Sequence, residues 1–496
     1  MVLTDTVSYE GLTEGLKYKL KASLRYRDGT PVMRNGKEVA SEVTFTAVES
    51  MGEVQVEKYL GALSYELMGE DIVVYEQLYN MNGVLRASHE DPLDSDQTVR
   101  IKRPEIRTSA YSKATGTKTL TVSKDTVLSD KVMYTGLEKG LKYVLRTTAV
   151  SVSTGEEIGS VVSEFTPESS DGYFTADISL DTKKLTGERI VVYEDIYLGD
   201  MLIASHRDID DISQTVWIPC ISTKASDGIT GSVQGSLYSS GIKDIISVKG
   251  LAPEEEYILK AWLLDGEGNS VEGSELMIAF TAVSGEYEEE ISLPLIKGPE
   301  AGMSYQVVTE LYQKDVLVCR HEDPDNETVV YPSVHTEASS EDRSKILKRS
   351  ESAVILDDVT LTGLVPGCTY VIETRVYDVA LRNIVEGSLI RTELAPESSD
   401  MTLTVSIPVD SSLRASHALT VYEKVYLVSE GEEVLLAAHE DPHDDLQTVK
   451  VEGELPKTGE GTDFMLIAGL LLMLTGGAAL IITGLRGKGS PSGDGS

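Results

Sequence analysis

The sequence predicts an all-β protein of four β-sandwich domains in tandem, followed by one C-terminal transmembrane helix. Three observations carry this. A block of about 113 to 118 residues recurs four times, a period that means whole domains rather than small stacked repeats. Within each block, apolar and polar residues alternate between Gly, Asn and Asp turn signals, and long helical periodicity is rare. Near the end, residues 464–485 form an uncharged run long enough to cross a bilayer as a helix.

The repeated blocks align on three elements. IVVYEQLY from Ile72, IVVYEDIY from Ile190, QVVTELY from Gln306 and LTVYEKVY from Leu419 each read as a strand that turns at Asn, Gly or Asp into a second apolar run, a hairpin signature. Each hairpin leads to a histidine segment: HEDPLDSDQTV from His89, HRDIDDISQTV from His206, HEDPDNETVV from His321 and HEDPHDDLQTV from His439. Upstream stand TDTVSYEGL, SDKVMYTGL, KDIISVKGL and DDVTLTGL, with Asp5, Asp130, Asp244 and Asp357 each seven residues before a Leu. A third element, PEIRTSA, PCISTKA and PSVHTEA, carries Thr108, Thr223 and Thr336. After Gln447 only seven residues precede LPKTG, so no threonine strand can follow and threonine must open each unit. The expected units are 1–102, without its opening strand, 103–218, 219–331 and 332–452, with 453–496 as a C-terminal tail.

Composition bounds the function. Asp and Glu number 81 against 44 Lys and Arg, a formal charge of -37, which would repel phosphate and excludes nucleic acid or an anionic membrane surface as a partner. The 41% hydrophobic content supplies packed cores and argues against disorder. Three cysteines without CxxC spacing support neither a disulfide framework nor a zinc site and are expected as small buried residues.

The two ends make opposite statements. MVLTDTVSYEGL has no charged segment followed by an apolar one, so it is not a secretory signal. The 22 uncharged residues from Phe464 to Leu485 span about 33 Å as a helix and are followed by Arg486 and Lys488, a flank that places the C-terminus in the cytoplasm. Everything before the span is then extracellular, and a chain without an export signal is expected to be incomplete at its start.

The recurring residues Thr, Asp, Glu, His and Gln are the parts of an acyl-transfer site. A threonine hydroxyl needs a base within hydrogen-bond reach, and a histidine oriented by an acid is the usual solution. The electrophile would be the glutamine side-chain carbonyl, which loses ammonia to leave an ester. If the first and last strands of a sandwich pair, the hydroxyl and the carboxamide become neighbours. Two carboxyls in contact raise one pKa, and a protonated acid can donate to a developing oxyanion. Calcium binding by HEDP-x-x-D competes with this reading, but a metal requires neither the Thr nor the Gln. A serine hydrolase would show a GxSxG elbow, which is absent, and would not repeat its site in each domain.

The order Thr, D-x-V-x-Y-x-G-L, V-V-Y-E and H-x-D-x-x-D-x-x-Q-T resembles the intramolecular ester-bond domains of Gram-positive adhesins, called VaFE repeats, over nearly all of residues 1–452. The resemblance implies immunoglobulin-like, Cna B-like sandwiches that cross-link themselves once, without turnover, cofactor or metal. It places Thr108, Asp130, Glu194, His206 and Gln214 in the second unit, and Thr336, Asp357, Glu423, His439 and Gln447 in the fourth, with His206 serving Thr108 and His439 serving Thr336. The first unit keeps Asp5, Glu76, His89 and Gln97 without a threonine, so its glutamine is expected to stay an amide. The third has Thr223, Asp244, Glu310 and His321, but its histidine segment is two residues short and carries Glu327 in place of Gln. An ionised carboxylate resists attack and the lost spacing would shift the strand, so no ester is expected there.

Leu455, Pro456, Lys457, Thr458 and Gly459, followed by the apolar run and a basic tail, resemble the cell-wall sorting signal of Gram-positive surface proteins. This implies a sortase that joins Thr458 to peptidoglycan, with membrane contact only beforehand. The expected role is a wall-anchored stalk presenting a host or matrix ligand-binding region upstream of residue 1; a pilus subunit or repeats that bind ligand themselves are the alternative.

Overall fold

The computed structural model describes residues 1–453. The expected LPKTG signal and the span 464–485 lie outside the described residues; among these, no helix is long and apolar enough to cross a membrane. Strands dominate, and each unit packs one small sheet against a larger one. In units 2 to 4 the threonine strand (Glu105–Ser112, Cys220–Asp227 or Ser333–Ser340) pairs antiparallel with the aspartate strand (Thr126–Thr135, Gly241–Lys249 or Ala353–Thr362), which pairs in turn with a third strand. In unit 1 the aspartate strand Val2–Tyr9 has one partner, Gly52–Tyr59, and its other edge is unpaired among the described residues.

The larger sheets contain the predicted hairpins. Asp71–Asn80 pairs with Leu85–His89, Arg189–Leu198 with Met201–His206, Ser304–Gln313 with Val316–Glu322, and Ala418–Ser429 with Glu432–His439. All four carry a register shift at the same place, between residues such as Ile196 and Tyr197. Such a bulge sharpens the local twist and re-aims the side chains beyond it. Alternate residues of both sheets point inward, and a core cluster in unit 4 gathers Ile355, Val359, Ile372, Val421 and Val425 from the two layers, as sandwich packing requires. Cys319 is buried, Cys220 and Cys368 are half-buried, and all three are free.

One expectation is corrected. The threonine strand and the glutamine segment do not form a ladder: they belong to opposite sheets. They meet at the seam, where Ala338 N–H donates to Leu446 O at 2.9 Å. Any Thr to Gln bond therefore bridges the two layers of the sandwich.

The units are joined by one repeated device. Each has a buried or near-buried tyrosine whose hydroxyl accepts the backbone N–H five residues upstream: Thr13 N to Tyr18 at 3.1 Å, and Glu138 N to Tyr143, Ala252 N to Tyr257 and Val365 N to Tyr370, all at 2.9 Å. In units 2 to 4 that hydroxyl is also met by a polar side chain of the preceding unit. Tyr65 OH lies 2.5 Å from Tyr143 OH, Thr119 Oγ1 2.6 Å from Tyr257 OH, and Tyr370 OH donates to Gln234 Oε1 at 2.6 Å. Backbone bonds continue the seam, from Val122 N to Val318 O and from Leu237 N to Leu436 O, both 2.8 Å. The glycine of the G-L pair allows this approach: Gly363 has φ +69°, and a Cβ there would stand 2.7 Å from Tyr331 O of the preceding unit, so a side chain is doubly excluded.

Gln234 is fully buried and bonds Val330 O, Gly363 O, Val365 N and Tyr370 OH. Gln234→Ala should lower the unfolding free energy of the unit 3 to unit 4 joint by about 2 kcal/mol, because buried partners lose their bonds. Calorimetry of the full chain should show the transition involving unit 4 moving down while that of unit 1 stays in place.

Candidate cross-linking site

Strand register brings the predicted residues of unit 2 together. Thr108 faces Val132 and Ala110 faces Asp130 across the small sheet, so Thr108 and Asp130 point into the same interlayer space. The small Ala110 opposite Asp130 leaves room for the carboxyl. Across the larger sheet Glu194 pairs with His206. Thr108 Oγ1 lies 3.2 Å from both Glu194 Oε2 and His206 Nδ1. Gln214 is fully buried on the same seam, following Ser213, whose hydroxyl donates to Thr108 O at 3.3 Å.

Unit 4 repeats the arrangement, with Ala338 opposite Asp357 and Glu423 opposite His439. Gln447 Nε2 donates to Thr336 Oγ1 at 2.6 Å and also to Glu423 Oε2. Thr336, Asp357, Glu423 and Gln447 are all fully buried.

A residue without a role in the sequence reading orients the histidine. His206 Nε2 lies 3.2 Å from Asp211 Oδ2, His439 Nε2 3.2 Å from Asp444 Oδ2, and His89 Nε2 3.0 Å from Asp94 Oδ2. With the Nε2 proton donated to this carboxylate, the Nδ1 lone pair of His206 faces Thr108 Oγ1, whereas His439 Nδ1 is buried without a partner. Both aspartates of H-x-D-x-x-D cap turns, the second at Ser213 N in unit 2 and Leu446 N in unit 4, and only the second also meets the histidine. The first caps a turn, as Asp208 Oδ1 does for Asp210 N at 3.0 Å and Asp441 Oδ1 for His443 N at 2.9 Å. The second, five residues past the histidine, holds the ring.

The two inner acids form carboxyl pairs. Burial raises Glu194 first, then the charge of Asp130 and a hydrogen bond with it; Glu423 is raised in the same way by burial and Asp357. Burial also raises Asp130 and Asp357, against the bond to their glutamate, which lowers them. One proton shared within each pair bonds one oxygen of the aspartate to one of the glutamate, among atoms that otherwise have no partner. The glutamate that touches the threonine is thereby the protonated member.

Unit 3 departs further than its sequence suggests. His321 pairs with Thr309, not with Glu310, so Thr309 stands where the other units have glutamate. Glu310 is one residue further along, held by Arg320 Nη1 at 2.9 Å and Tyr312 OH at 2.6 Å, as Asp195 is held by Arg207 in unit 2. Counting from the downstream Leu-Tyr would have given this register, since Leu311 and Tyr312 match Ile196 and Tyr197. The missing two residues do not shift the strand either. Val307 N–H bonds Glu327 O at 3.0 Å, as Val421 N–H bonds Gln447 O at 3.0 Å, because the turn absorbs the deletion. Glu327 is therefore in the glutamine place, buried, raised by that burial, and bonded by Ala225 N at 3.0 Å. Thr328 Oγ1 donates to Pro324 O at 2.7 Å, as Thr215 and Thr448 donate to Asp211 O and Asp444 O, so Pro324 stands in the place of the orienting aspartate and offers the ring no carboxylate.

In unit 1, Glu76 and His89 line an open pocket of about 950 Å³ beside the unpaired edge of Val2–Tyr9. His89 Nδ1 lies 3.6 Å from Glu76 Oε2, and its side chain is 50% exposed against 26% for His206.

The family described as T-Q ester bond containing domain matches residues 1–101, 104–218, 219–328 and 332–451. The LPXTG cell wall anchor motif matches residues 447–486. No curated protein matches the chain. Similar solved structures include a bacterial adhesin from Mobiluncus mulieris containing intramolecular disulfide, isopeptide and ester bond cross-links, at 14% identity over 48% of this chain and 88% of that one, with a TM-score of 0.23. Another is Escherichia coli alpha-2-macroglobulin activated by porcine elastase, at 13% identity over 90% of this chain and 43% of that one, with a TM-score of 0.22.

Burial, then a hydrogen bond with Asp5 and its charge, pushes Glu76 up from 4.5 to about 9. A carboxyl raised in the folded state favours folding fully below its unfolded pKa and loses that contribution as pH rises through the folded value. Unit 1 should therefore lose stability between about pH 4.5 and pH 9, and Glu76→Gln should flatten the slope. Thermal unfolding of the full chain at several pH values measures both.

Proposed function

The chain belongs to the family of T-Q ester bond containing domains, and from that premise we propose that it is a mechanically stabilised stalk whose second and fourth units close themselves with Thr to Gln esters. Its LPXTG anchor motif makes it an extracellular protein processed by a sortase and attached covalently to the cell wall.

The observation that carries the reading is the convergence of Thr336, Gln447, Glu423 and His439 within one buried seam. In the proposed reaction the histidine Nδ1 takes the threonine proton and Oγ1 attacks the glutamine Cδ. A half-turn of the carboxamide exchanges its nitrogen for its oxygen without a change of shape, and sets Oε1 against the protonated Glu423. That proton steadies the oxyanion. Collapse breaks the Cδ–N bond, the histidine returns its proton to the leaving nitrogen, and ammonia departs. Each site reacts once, which is self-modification and not turnover.

The mechanical role stems from the path of the chain. Tension enters unit 2 at the threonine strand and leaves past the glutamine segment. A Thr108 to Gln214 bond routes it from one to the other, so residues 109–213 are enclosed in a ring that carries no load. The joint residue Thr119 lies inside that ring, and Gln234 lies outside any such ring in unit 3. By the chain-entropy analogy with a disulfide, closing a loop of this size adds about 4 to 5 kcal/mol, less important than removing the unzipping path. Through its latched joints the array projects its N-terminal end away from the wall, where a host or matrix ligand would be met.

Intact mass tests the reading. The full chain should be lighter than its sequence by two ammonia molecules; Thr108→Ala and Thr336→Ala should each restore one, and the double variant both. An unshifted wild-type mass refutes it. Glu327→Gln should add no third bond, because Thr309 and Pro324 still occupy the glutamate and aspartate places. A third ammonia lost from that variant would contradict the roles given to those acids.

A further inference from the structure

After each threonine strand the chain turns back and lays one short arm along the glutamine segment. In unit 2 Trp217 N–H bonds Lys118 O and Leu120 N–H bonds Trp217 O, both at 2.8 Å. In unit 4 Lys450 N–H bonds Lys345 O at 2.8 Å and Glu452 N–H bonds Leu347 O at 2.9 Å. In unit 3 Val330 N–H bonds Val233 O and Gly235 N–H bonds Val330 O, both at 2.8 Å. Trp217, Val330 and Lys450 each stand three residues past Gln214, Glu327 and Gln447. Lys118, Val233 and Lys345 therefore occupy one structural position.

The two lysines turn inward and grip the same pair of carbonyls. Lys118 Nζ donates to Ala110 O and to Ser213 O, each at 2.5 Å. Lys345 Nζ donates to Ala338 O at 2.6 Å and to Leu446 O at 2.5 Å. The first carbonyl lies two residues past the reacting threonine and the second immediately before the reacting glutamine. No ladder joins these strands, so the ammonium is a principal tie across the seam before any covalent bond exists. Charge-assisted bonds of this kind are about twice as strong as neutral ones. In unit 3, where Glu327 has replaced glutamine, the position is Val233, 37% exposed, and the tie is gone.

We infer that Lys118 and Lys345 are positioning residues of the cross-linking reaction, each holding its threonine strand against its glutamine segment until the ester forms. This rests on the ester reading above. The lysines touch none of the reacting atoms. Their charge has a second effect: it favours the ionised form of Asp130 and of Asp357, which leaves the shared proton on the glutamate that faces the threonine.

The test uses the full chain, made by cell-free synthesis and sampled over time by intact mass, with peptide mapping to assign each bond to its unit. Every molecule contains its own control, because units 2 and 4 react independently. Lys118→Met should slow the unit 2 bond by about tenfold or more while the unit 4 bond forms at its normal rate, since loss of a positioning contact separates reacting groups without removing them. Lys345→Met should give the mirror image, and Lys118→Arg should recover most of the rate. Hydrogen exchange across Thr126–Thr135 should be unchanged in Lys118→Met. Normal rates in both methionine variants overturn the inference while leaving the ester reading intact. Slowing with loss of protection across unit 2, or no recovery with arginine, assigns the lysine a structural role and also overturns it. A wild-type chain that loses no ammonia brings down both.

Discussion

Inside units 2 and 4 two carboxyls are buried against one another with no Lys or Arg in direct contact, and a single shared proton makes this tolerable. That proton is the constraint around which the site is built. It neutralises Glu194 or Glu423 at the place where negative charge would develop, and it lets a carboxyl sit beside a hydroxyl in an apolar seam. The alanine opposite each aspartate makes space for the pair, and the aspartate behind each histidine holds the ring, in unit 2 with its free nitrogen toward Thr108.

The threonine strand lies at the edge of the small sheet and in the proposed stalk would be the first part of its unit to meet tension. It contacts the glutamine segment mainly through side chains: a serine hydroxyl in unit 2, a lysine ammonium in units 2 and 4. In the proposed stalk such contacts would order the strand without securing it under load. The segment after the strand reaches into the next unit's tyrosine corner, through Thr119 in unit 2 and Gln234 in unit 3. In unit 2 the proposed ester, by securing the threonine strand, would also steady the joint.

Unit 3 shows how a site decays while its fold persists. Valine at the lysine position, Thr309 for glutamate, Pro324 for aspartate and Glu327 for glutamine are four separate departures in one unit. Its sandwich core is nonetheless as well filled as its neighbours', with Ile242, Leu263, Leu293 and Leu311 fully buried. Cores depend on apolar volume on alternate positions, whereas the reaction depends on particular groups within hydrogen-bond reach, so the two can be lost independently.

Period-2 alternation and the four-fold repeat determined the sandwiches, their order and their hairpins, because strand patterning is local and needs only neighbours along the chain. The threonine, aspartate, histidine and glutamine of the site were legible for the same reason: each sits at a fixed offset from a strand motif. Register was not legible. A one-residue slip in reading VVTELY moved the acid of unit 3 from Thr309 to Glu310, and only pairing with His321 across the sheet separates the two. The lysine tie and the tyrosine latches were hidden too, since Lys118 meets Ser213 and Gln234 meets Tyr370 across spans of 95 and 136 residues. Those contacts exist only once two sheets, or two units, have closed on each other, and that is what tertiary structure decided.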